Sequence, residues 1–157
     1  MAFHIASRSF LTILLTASAL AAVPAYASKA PLEPANAFHP SKPWQIGKAP
    51  GGQCAIKNEF NNGFIVQFEG SDDAPSAMSV NFRQDIFKTG QTYDAQVTVP
   101  GGAVKKFPAK AVSPQALAMN FEGSDELYSG IRNSSVFDFA VEGNNFRFYL
   151  VGFNAAS

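Results

Sequence analysis

Residues 136–151 read VFDFAVEGNNFRFYLV, and in them Phe137, Phe139 and Val141, then Phe146, Phe148 and Leu150, alternate with polar or smaller residues around Glu142-Gly143-Asn144-Asn145. Alternation with period two marks a half-buried strand, because successive side chains leave opposite faces of a sheet. The four residues between the runs tolerate positive φ, so the stretch predicts an antiparallel hairpin.

The same pattern extends upstream. Phe64, Val66 and Phe68 share a face, as do Met78, Val80 and Phe82, then Tyr93, Ala95, Val97 and Val99, then Leu117, Met119 and Phe121. Ser124 followed by Asp125-Glu126-Leu127 predicts a helix N-cap with acids in the first turn, and one short helix to about Arg132. A repeat runs at a constant offset of 53 residues, from Phe68-Glu69-Gly70-Ser71-Asp72 to Phe121-Glu122-Gly123-Ser124-Asp125, with 8 identities over the 36 positions of 64–99 against 117–152. Neither half buries its apolar face alone. The expected fold is therefore all-β with one short helix, a two-sheet antiparallel β-sandwich built from two similar halves, and a closed β-barrel is the alternative.

Ahead of the strands, residues 1–27 read as a cleavable signal peptide. Arg8 precedes an apolar run from Phe10 to Ala22 that is too short to span a bilayer, and Ala25-Tyr26-Ala27 supplies the small residues read by signal peptidase, so cleavage is expected before Ser28. The sole cysteine, Cys54, lies far from that run, which speaks against a lipoprotein. Residues 28–48 carry Pro31, Pro34, Pro40 and Pro43 without periodicity and predict an extended leader, with Trp44 and Ile46 docking where it meets a domain at 49–157. A periplasmic or secreted protein follows.

With 12 Lys+Arg against 12 Asp+Glu, the chain offers no electrostatic case for nucleic acid or anionic lipid. A lone Cys54 forms no internal disulfide and is expected as a small buried hydrophobe, with an intermolecular bridge as the alternative. His39, the one histidine outside the signal, sits in the leader, where a catalytic base lacks a rigid scaffold. One His and one Cys fall short of a zinc site. Glu69, Asp72 and Asp73 with Glu122, Asp125 and Glu126 are candidate calcium ligands or paired carboxylates, but an acid-Gly-Ser-acid run after a strand is better explained as an ordinary turn. No cofactor and no enzymatic centre are expected. Phe60, Phe87, Phe107, Tyr128, Tyr149 and Phe153 fall outside the inward stripes and are the candidate partner-binding aromatics; plugging the ends of the fold is the alternative for most of them.

The run from Leu117 through Phe121, the segment from Asp125 to Gly130, and the closing Phe146-Arg147-Phe148-Tyr149-Leu150-Val151-Gly152-Phe153-Asn154-Ala155-Ala156 resemble the end of the invasion-associated locus B family. Trp44 and Cys54 fall where that family's first Trp and Cys lie, although its members usually carry further cysteines. The resemblance implies a bacterial envelope protein with an interaction role and no catalytic residues to transfer. The expected function is accordingly an exported, non-enzymatic module that binds another envelope protein. A carrier of a small apolar ligand in an aromatic-lined barrel is one alternative. A small outer-membrane barrel is another, disfavoured because runs of five to seven residues fall short of the roughly 9–11 that a membrane strand needs.

Overall fold

The computed structural model describes residues 36–70, 75–102, 104–121 and 123–156. The expected signal peptide lies outside these residues, as do Ser71, Asp72, Asp73 and Glu122. The described chain is mostly β. Its strands are β1 (Ala37–Phe38), β2 (Gln45–Lys48), β3 (Cys54–Glu59), β4 (Ile65–Gly70), β5 (Pro75–Asn81), β6 (Thr92–Thr98), β7 (Val104–Ser113), β8 (Ala116–Asn120), β9 (Val136–Val141) and β10 (Asn144–Tyr149). One helix, α1 (Asp125–Asn133), lies between β8 and β9, and a 3-10 turn follows at Phe153–Ala155.

The strands form one continuous sheet in the order β1-β10-β9-β6-β7-β8-β5-β4-β3-β2, where two separate sheets were expected. That sheet is curled into an open half-barrel. The curl is visible in its rings: Phe68 on β4 meets Phe137 on β9 at 6.1 Å, and Phe64 meets Phe146 on β10 at 5.7 Å, although these strands stand far apart in the ladder. Every stripe read from the sequence turns to this interior. Val66, Met78, Val80, Val97, Leu117, Phe137, Phe139 and Phe148 are all 0% exposed, and Phe64, Tyr93 and Phe146 pack partly buried against them. Both outcomes share a cause, since a single sheet and a pair of sheets place the same inward stripe on each strand.

Helix α1 buries Leu127 and Ile131 against the core. Gly130 lets it approach β6, because a Cβ there would stand 3.3 Å from Val99 Cγ2. Ser124 precedes the helix as expected, yet its side chain makes no capping bond; its carbonyl accepts the Tyr128 N–H at 3.0 Å. The offset of 53 pairs β4 with β8 and β6 with β10, but it sets β5 against α1, and β9 against the irregular segment 83–88. The two halves therefore differ in structure at their centres.

The hairpin joining β9 to β10 forms in the register Val141↔Asn144, leaving Glu142-Gly143 as a two-residue loop with φ of 50° and 74°. Two positive φ values define a turn whose twist matches the strands, and Asn-Gly suits it best. Glu142 occupies a region that is costly for a residue with a Cβ. Glu142→Asn is expected to raise stability by about 0.5–1 kcal/mol in urea denaturation; an unchanged midpoint would reject this account of the turn.

The described part of the expected leader, 36–48, is built into the sheet. Ala37 and Phe38 pair in parallel with Arg147 and Phe148, and Gln45–Lys48 pair antiparallel with Cys54–Lys57. Between them Pro40 bridges Phe60, the Asn61 N–H donates to the His39 carbonyl, and the Ser41 N–H donates to the Glu59 carbonyl. One segment, 36–48, thus touches both margins of the ladder. Trp44 docks as expected, donating from Nε1 to the Val151 carbonyl at 2.9 Å with its ring 4.9 Å from Phe153. Ile46 does not dock and is 67% exposed. Cys54 is exposed as well, contrary to the buried reading: it opens β3 between Gly70, which has no side chain to cover it, and Lys48, which is itself exposed.

Candidate functional site

The six aromatics singled out in the sequence do not form an exposed face. Phe60 and Phe153 are 1% exposed and Phe87 and Phe107 are 8% exposed, all within the core. Phe60 packs edge-on to Phe148 at 4.9 Å, Phe87 lies 5.1 Å from Tyr93, and Phe107 stacks on Phe121 at 4.8 Å. Only Tyr128 and Tyr149 are half-buried, Tyr128 against the core and Tyr149 stacked on His39 at 4.4 Å. The four phenylalanines belong to the interior, because a large aromatic surface gains most by leaving water. The acids read as a turn are dispersed: Gln67 donates to Glu69, Asp125 and Glu126 lie exposed in the first turn of α1, and no cluster of metal-ligating side chains occurs among the described residues.

On the outward face of β9 and β10, Arg147 donates from Nε and Nη2 to the two Asp138 carboxylate oxygens at 2.7 and 2.8 Å. Donating to the Asp138 carboxylate holds the guanidinium above its ordinary pKa. Both charges answer each other across the ladder, which makes the pair a brace between strands.

Unanswered charge and open backbone gather at the other margin. β2 is the last strand of the ladder, all four of its residues are exposed, and Ile46 stands on it with two-thirds of its surface in water. Beside it, Lys42, Gln45, Lys57, Asn58, Glu59 and Arg83 line a cleft of about 190 Å³. Gln45 and Lys57 also line a second hollow of about 260 Å³, which runs along β2 to Gly47, Lys48 and Gln67. Register explains the convergence: Gln45↔Lys57, Glu59↔Ile65 and Ile65↔Asn81 set the ends of β2, β3, β4 and β5 side by side, with Arg83 two residues further on. Lys42 pairs with Glu59 at 3.1 Å, whereas Lys57 and Arg83 make no ion pair among the described residues. Sequence reasoning passed over this group, since Lys42, Lys57 and Arg83 are scattered through the chain and meet only through the register.

The last strand of the ladder is thus an open margin with cations beside it. No family model, no curated protein and no solved structure matches this chain.

Proposed function

We propose that this protein is an exported, non-enzymatic interaction module of the bacterial envelope that takes an extended, acidic segment of a partner protein along β2. The observation that carries this reading is the exposed edge of β2 with Ile46 upon it. An edge strand offers a row of backbone donors and acceptors, and an added strand satisfies them while its alternate side chains read the flanking surface. Natural edges that only need protection are kept short, charged or covered. β2 is short and ends in Lys48, but a bare isoleucine on such an edge serves docking better than protection.

Charge selects the partner. Lys42, Lys48, Lys57 and Arg83 outnumber Glu59 around the groove, so a second copy of this edge meets repulsion and an acidic strand meets attraction. The finer architecture we favour is a barrel laced shut by 36–48. Ring contacts filling the interior favour a plugged core over a carrier of an apolar ligand, and the outward-facing Asp94, Gln96, Lys106 and Lys110 favour water over lipid at the outer surface. Export, as the N-terminal sequence leads one to expect, and the invasion-associated locus B resemblance favour a partner in the periplasm or outside the cell.

A photo-reactive amino acid at position 46, expressed in cells, is expected to yield one discrete adduct with a heterologous protein, mapped to an extended acidic stretch and lost on Lys57→Glu. Monomer alone would sink the proposal.

A further inference from the structure

The geometry points to a carboxylate-binding subsite in the cleft between the 41–44 segment, β3 and the turn after β5, with Arg83 and Lys57 as its cationic ligands. The identity of the acid, a side chain of the docked strand, rests on the reading of β2 given above; the subsite itself rests on the cleft.

Charge is the first support. Glu59 answers Lys42, but nothing among the described residues answers Lys57 or Arg83, and two unpaired cations facing one hollow attract an anion. Backbone conformation is the second. Arg83 has φ of 58°, held there by its N–H donating to Asn81 Oδ1 at 2.8 Å. Glycine or asparagine occupies that region more cheaply, so the turn carries this arginine against its backbone preference and presents its side chain beside the cleft. A guanidinium presents paired N–H groups that match the two oxygens of a carboxylate.

The floor of the cleft is the third. Asn58 is 2% exposed and donates from Nδ2 to the Lys42 carbonyl at 2.8 Å, which fixes the segment that carries Lys42. Size then narrows the ligand. A hollow of about 190 Å³ equals the share of about six waters, enough for an acidic side chain and its remaining hydration and below the range of drug-sized pockets.

The test titrates succinate into the 15N-labelled chain beginning at Ser28, against sodium chloride of matched ionic strength. Saturable shifts are expected at the Arg83 Nε–H and the Lys57 amide, with at least tenfold weaker binding in Arg83→Gln and in Lys57→Gln and a retained amide spectrum elsewhere. Shifts that fail to saturate, or that persist unchanged in both variants, overturn the subsite. The two readings separate cleanly. A discrete adduct from position 46 together with a cleft blind to succinate removes the subsite and leaves the edge, whereas succinate binding without an adduct removes the edge and leaves the subsite.

Discussion

A chain that starts at Ala49 is expected to lose the cooperative thermal transition that a chain starting at Ser28 shows by near-ultraviolet circular dichroism. The segment it lacks, 36–48, is proline-rich but carries two rings of the interior. Phe38 lies 5.5 Å from Phe64 and 5.9 Å from Phe148, and Trp44 packs on Phe153 and holds the Val151 carbonyl. Fully burying a large apolar side chain is worth about 1.5–3 kcal/mol, so these two half-buried rings together supply about 1.5–3 kcal/mol of a net stability that is typically about 5–15 kcal/mol. Truncation also strips the ladder partners of β10 and β3 and leaves Asn58 Nδ2 without the Lys42 carbonyl. A truncated chain that melts sharply within a few degrees of the longer one would show the segment to be an accessory after all.

Phe82→Ala is expected to cost about 3–5 kcal/mol in guanidinium denaturation, the upper range for removing a buried ring. Phe82 is 2% exposed and touches Phe64 at 5.0 Å, Phe87 and Phe146 at 5.3 Å and Phe139 at 6.2 Å, so it links strands from both arms of the curl. Four neighbours on separate segments cannot all move into one vacated site, which leaves a void whose walls have no atoms to pack against. A double-mutant cycle with Phe146→Ala is expected to return a coupling of about 0.5–1.5 kcal/mol beyond area burial. A loss below about 1 kcal/mol for Phe82→Ala would mean that the aromatic interior is loosely packed.

The inward faces of the strands were legible because each carries its own alternation, as in Phe137, Phe139 and Val141. Hairpin β9–β10 and helix α1 were legible for local reasons too, Glu142-Gly143 in the one and Ser124-Asp125-Glu126 in the other. What escaped the reading depends on long-range closure. β1 and β2 are too short to show a period, and the prolines around them argue for loop unless the strand lies at a margin, where a missing N–H is tolerated. Phe60 and Phe153 lie outside every stripe because one follows the last residue of β3 and the other opens a 3-10 turn, places where the alternation of a strand does not run. Lys57 and Arg83 have no common pattern in sequence, and only the pairing of β3, β4 and β5 sets them at one cleft.

The parallel pairing of β1 with β10 also governs the order of events. Asn36 Nδ2 donates to the Asn145 carbonyl across 109 residues, and Ala37 lies against Arg147. The earliest strand of the sheet therefore waits for the latest to be synthesised. Contacts so distant along the chain slow folding, because the entropy of bringing them together is given up before any ladder offsets it. The margin formed by β1 is therefore the part of the sheet that closes last, after the β9–β10 hairpin has given it a strand to lie against.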